Sequence, residues 1–218
     1  MDNYTCEIDI PAPLENLQLP SPELLNYYRL REKRIFYVDY DIDVGILELQ
    51  REIIRINLED YDLPVEQRTP IKILIDSNGG YLSESMSLAA TIEMSKTPIY
   101  TINVAGAYSG GCILLMAGHK RFAMPYSKAL IHTGNGELGG THEQVMAQSQ
   151  KYEKEIKNMG DFICSHSKID IKTYKKKKNQ EWYLDVSEQI QYGIVDEEVT
   201  NLFDLIKLWG LKGWIQKN

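Results

Sequence analysis

The chain has 218 residues, 43% apolar and 25% charged, which is enough for one well-buried core and short enough for a single domain. Its net charge of −7 argues against nucleic-acid binding, because phosphate recognition needs clustered positive charge. Three cysteines, Cys6, Cys112 and Cys164, show no metal-ligand spacing, so a reduced intracellular protein without a metal site is expected.

The opening "MDNYTCEIDIPAP" is acidic, polar and broken by prolines, unlike a signal peptide. Residues 1–27, with Pro11, Pro13, Pro20 and Pro22, are expected to form an irregular arm. "RIFYVDY" (34–40) reads as a short strand. From Val44 to Leu58 the apolar residues Ile46, Leu49, Ile53, Ile54 and Leu58 recur at helical spacing. The polar "EDYDLPVEQRTP" is a loop, and "IKILID" (71–76) a strand closing on "SNGG". "YLSESMSLAATIEMS" predicts a helix and "PIYTINVAG" (98–106) a strand, after which Ser109 opens the helix "GCILLMAG". That run is far too short to cross a bilayer, so a soluble, cytoplasmic protein is expected. "KRFAMP" and "KALIHT" read as short strands, and 142–166 as a long polar helix. The four lysines 175–178 look like a solvated face, and "SEQIQYGIVDEEV" like a helix ending at Gly193 before a last short strand. The apolar tail "NLFDLIKLWGLKGWIQKN" is read either as packing on its own subunit or as covering a docking surface.

Strands alternating with helices imply right-handed βαβ units and a mainly parallel sheet, whose ligands gather at the carboxyl ends of the strands. Both "DSNGG" and "AGAYSGG" fall there. A serine needs a base to take its proton and gains most at a helix N-terminus. Ser109 matches the nucleophile-elbow pattern only in part, with Ala107 where the first glycine would stand and Gly111 at the second. Its residues alone fit a packing spacer as well as a nucleophile. Gly79 and Gly80 leave backbone N–H groups suited to an oxyanion hole, or form an ordinary strand-to-helix turn. Of His119, His132, His142 and His166, only His132 ends a strand beside a glycine-rich segment.

Taken together, "DSNGG", "AGAYSGGCILLMAGHKRFAMPYSKALIH", "ELGG" and "SEQIQYGIVDEEV" resemble the caseinolytic protease P subunit family, ClpP, in order and nearly in spacing. The likeness runs from about Tyr28 to Val199, with a shorter turn at "AGHKRF". It implies a ClpP/crotonase-like α/β spiral of βαβ units, one peptidase domain over 28–218, and a projecting handle at about 133–166. It also implies Ser109 as nucleophile, His132 as general base, and the backbone N–H groups of Gly80 and Gly110 as oxyanion hole. Counting back from "YGIVD", the family's aspartate falls on Glu181, with Asp185 as the alternative third member and Asn179 a weaker one. Asn78 stands where the family usually has proline. "TGNGELGG" (133–140) beside the base would let a substrate peptide pair as an added strand. The same resemblance implies a homo-oligomer of stacked heptameric rings hydrolysing unfolded polypeptide, and an AAA+ unfoldase as the only user of ATP. No further cofactor, nucleic acid or membrane partner is implied.

Three alternatives stay open: a catalytically silent ring subunit or scaffold, a crotonase-like acyl-CoA enzyme, and a Ser–Lys hydrolase. The altered third position and Asn78 favour the first. The Ser109 and His132 pair counts against the other two.

Overall fold

Strand sequences such as "IKILI", with a single lysine among apolar residues, need cover on both faces. The computed structural model describes residues 21–201, and they supply that cover. One seven-stranded sheet is formed by β1 (Ile35–Val38), β2 (Ile71–Ser77), β3 (Ile99–Tyr108), β4 (Lys120–Ala123), β5 (Lys128–Ile131), β6 (Trp182–Leu184) and β7 (Glu197–Glu198). Strands β1-β2-β3-β4-β7 lie in that order and pair in parallel. The long β3 is shared: its first half (Tyr100 to Asn103) pairs with β4 and its end (Gly106 to Tyr108) with β5. Where the two partners part, the buried Asn103 amide donates to the Lys128 carbonyl at 3.0 Å and to Gln189 Oε1 at 3.1 Å. That bond satisfies backbone the split ladder would otherwise orphan. β6 returns antiparallel along β5.

Among the described residues seven α-helices accompany the sheet: α1 (Pro22–Glu32), α2 (Leu47–Glu59), α3 (Leu82–Met94), α4 (Gly110–Ala117), α5 (His142–Ser165), α6 (Ile171–Lys177) and α7 (Val186–Gln191). Alternation along β2 divides the core. Ile71, Ile73 and Ile75 join α2, α3 and α4 in the larger cluster, while Leu74 faces Ile35, Ile102, Phe122 and Val199 in a smaller one. All eight residues of α4 are buried, so truncating Leu114 to alanine there would cost roughly 2–5 kcal/mol.

Two expectations change, and one segment left without elements acquires them. Residues 22–27, read as part of an irregular arm, are helical: Ser21 Oγ accepts from the Leu24 amide and Pro22 takes the first turn. The proline there marks a helix start, where its missing N–H costs nothing. Ile54 and Leu58, counted with the buried stripe of α2, are exposed, and the helix turns Leu49, Ile53 and Ile56 inward. The lysine-rich segment contains α6, and Trp182 begins β6. Both elements are too short for periodicity to reveal.

The 24-residue α5 buries only Met159, Gly160, Phe162 and Ile163. Its N-terminal part stands in solvent, held at its start by a capping box between Thr141 and Gln144. Among the described residues no helix is long and apolar enough to cross a membrane. The expectations for the first twenty residues and for the apolar C-terminal tail lie outside the described residues.

Candidate active site

The strand-to-helix turn after β3 is the strained point of the structure. Ser109 has φ 53° and ψ −117°, a region that side-chain-bearing residues seldom occupy. Its amide donates to the Leu130 carbonyl of β5 at 2.9 Å, and its own carbonyl accepts from Cys112 at 3.0 Å. The serine is therefore clamped between β5 and the first turn of α4. Glycines let the turn exist: a Cβ on Gly110 would come within 2.3 Å of Ser85 Oγ, and one on Gly111 within 3.2 Å of the Ser77 carbonyl.

The turn after β2 packs against this elbow. Gly79, at φ 94°, has room for no side chain, since a Cβ there would lie 2.7 Å from the Gly110 amide nitrogen. The Ser77 hydroxyl donates to the Tyr40 carbonyl at 2.6 Å and accepts from the Gly79 amide at 3.1 Å. Asn78, where proline was expected, is tethered by its amide to Asp41 Oδ1 at 3.3 Å. Gly80 forms an isolated bridge with Ile42, made by the Ile42 amide on the Gly79 carbonyl and the Tyr81 amide on the Ile42 carbonyl. The Gly80 amide takes no part in that bridge. The Gly110 amide, as the first of α4, has no carbonyl four residues behind it within the helix. Two backbone donors thus remain beside the serine.

His132 follows β5 directly. Strand pairing of β5 with β6 runs Leu130 to Tyr183 and Ile131 to Trp182, and one further step sets His132 opposite Glu181. Its Nδ1 lies 2.9 Å from Glu181 Oε1. A carboxylate only accepts, so Nδ1 carries the proton and Nε2 is left as the basic nitrogen. The Tyr108 and Tyr183 rings meet edge to face at 5.9 Å and tie the elbow to β6.

Asp185, the other acid considered, is occupied elsewhere. It caps α7, accepting from the Glu188 amide at 2.9 Å and the Ser187 hydroxyl at 2.7 Å. The Glu188 amide bond, with help from Ser187, holds its carboxyl below the usual range. Asn179 lines a neighbouring cleft between α5 and α6 instead of the serine's cavity. Cys112, behind the elbow, is a core thiol pushed up to about 12 by burial.

Ser109, Gly80, Gly110 and His132 line one cavity of about 420 Å³. Ser109 Oγ and His132 share it without a hydrogen bond among the described residues. Sequence reasoning missed the far wall: Lys151, Tyr152, Glu155 and Met159 of α5, with Leu82 and Ile113 below. The signal was present, since 152, 155 and 159 fall on one helical face. Segment 133–140 carries neither helix nor strand, and a side chain at Gly134 or Gly139 would meet nothing within 4 Å.

Fold and cavity define an α/β protein in which a serine elbow, two free amides and a histidine–carboxylate pair converge. The chain belongs to the Clp protease family, whose family model matches residues 26–201. It is 29% identical over 183 residues to the ATP-dependent Clp protease proteolytic subunit 3 of Synechococcus sp. (strain CC9902), covering 80% of this chain and 86% of that protein. It is 24% identical over 177 residues to proteolytic subunit 2 of Rhodococcus jostii (strain RHA1), covering 80% and 88%. Among solved structures, a mutant of ClpP1 from Listeria monocytogenes superposes with a TM-score of 0.70 at 18% identity, covering 83% of this chain and 99% of that one. The ClpP-type fold expected from the sequence is the fold found.

Proposed function

We propose that the protein is a serine endopeptidase subunit that hydrolyses unfolded polypeptide. Ser109 Oγ attacks the scissile carbonyl carbon while His132 Nε2 takes its proton. The negative charge that develops on the carbonyl oxygen is met by the amides of Gly80 and Gly110. His132 then gives the proton to the leaving amine nitrogen, and an acyl-enzyme remains on Ser109. Water enters and attacks the acyl carbon while giving its proton to His132; the bond to Ser109 Oγ then breaks, His132 returns the proton to that oxygen, and the acid product leaves. Glu181 orients the imidazole and stabilises its cationic form. Segment 133–140 would hold the substrate as an added strand, giving affinity with little sequence preference.

One observation carries this reading: the left-handed Ser109 elbow opens into the same cavity as a histidine already paired with a carboxylate. Strain at a non-glycine residue is stored where function uses it. Family membership supports enclosure of the site within stacked heptameric rings, and an AAA+ unfoldase as the source of substrate.

A fluorophosphonate probe tests it. The full-length protein should be labelled at Ser109 and the Ser109→Ala variant should not. A folded, assembled sample that resists the probe would sink the peptidase reading. It would favour the silent-subunit alternative, for which the unbonded Ser109 hydroxyl speaks. Catalytic hydrogen bonds often tighten only when substrate is bound, which is why the serine reading stands first.

A further inference from the structure

We infer that the cavity beside Ser109 accepts lysine or arginine as the residue preceding the cleaved bond, with Glu155 reading its cationic head group; this rests on the peptidase reading above. Leu82, Ile113 and Met159 line the cavity, and Ile113 and Met159 are buried. Such a surface suits the aliphatic stem of a long side chain. Glu155 lies one turn before Met159 on the same face of α5 and lines the same cavity. Tyr152 completes that wall and is fixed in place, its hydroxyl donating to the Thr133 carbonyl at 3.3 Å.

Two cationic and anionic groups compete at this wall, and burial decides between them. Glu155 pairs with Lys151 at 3.4 Å, but the lysine side chain is 75% exposed and that of Glu155 only 33%. A solvated i,i+4 pair of this kind is weak, so an incoming cation displaces Lys151 easily. Arginine would gain charge-assisted hydrogen bonds to the carboxylate. A bulky apolar residue would strip water from Glu155 and return nothing, and an acidic residue would be repelled.

The test uses the full-length protein and internally quenched peptides that differ only in the residue before the scissile bond: arginine, lysine, leucine or glutamate. Arginine and lysine peptides should exceed leucine in kcat/KM by about tenfold or more, with glutamate lowest. Glu155→Gln should collapse the arginine-to-leucine ratio, and Glu155→Lys should raise glutamate above arginine. Lys151→Ala should keep or widen the wild-type ratio. Leucine equal to or better than arginine in the wild type would overturn the proposal, as would a Glu155→Gln variant that slows all four peptides alike. Fluorophosphonate labelling runs beside these assays. Labelling without the charge preference removes this proposal alone; no labelling removes the peptidase reading and this proposal with it.

Discussion

Lys72 is the second residue of β2, paired in register with Ile35 and Tyr100, and among the described residues its buried amino group has no hydrogen-bond partner. Burial, and secondarily the nearby Arg34 charge, bring its pKa down to about 8. The folded state therefore disfavours the charged amine. Between about pH 8 and the ordinary lysine value near 10.4 the unfolded chain binds a proton that the folded chain does not, so stability rises with pH across that window. Lys72→Met, which keeps the stem, should stabilise the protein by about 2 kcal/mol at pH 7 after allowance for solvent screening. Urea denaturation at pH 7 and pH 10 checks this, and the gain should shrink at the higher pH. A gain that grows with pH would contradict the account. At the same scale, Ser109 shows where sequence is mute: its letters fit a spacer or a nucleophile, and what the structure adds is a strained backbone and a bond to Leu130 that no spacing could announce.

Among elements, the β5–β6 pair determines which acid lies beside His132. Its register puts Glu181 opposite His132, while Asp185 begins the next helix as a cap. Glu181→Ala should lower kcat/KM about tenfold or more. The loss should be smaller than a buried acid would show, because the Glu181 side chain is 59% exposed. Asp185→Ala should lower the melting temperature while leaving peptide hydrolysis near wild type. The reverse pattern in steady-state kinetics and thermal melts would exchange the two roles. The long elements were legible in the sequence because β2, β3, α3 and α5 carry sustained periodicity or apolar runs. β6 has three residues and α6 seven, too few for a period to register, and that is why the acid could not be separated from its neighbour by spacing alone. The far wall of the cavity stayed hidden for another reason. It comes from a helix read from the sequence only as long and polar, which the fold brings to the cavity that holds Ser109.

For the molecule as a whole, α5 leaves most of its length exposed, and among the described residues the Ser109 hydroxyl has no hydrogen-bond partner. A helix that buries four residues in twenty-four gains little from its own chain. In the ring assembly proposed above, a neighbouring subunit would supply the missing packing and, through Tyr152, Glu155 and Met159, bear on the cavity wall. Fluorophosphonate labelling of fractions separated by size should therefore be confined to the large species and faint in the subunit. Equal labelling of both would show that the site is complete in one chain.

The bridge between Ile42 and Gly80 fastens the segment joining β1 to α2 to the backbone beside Ser109. The aim of the Gly80 amide is set by the segment joining β1 to α2, as a gunsight is set by its mount. On the peptidase reading proposed above, a ligand drawn to that segment and touching none of the cavity's residues would shift the Gly80 amide and change turnover, while leaving the serine as reactive toward small probes as before.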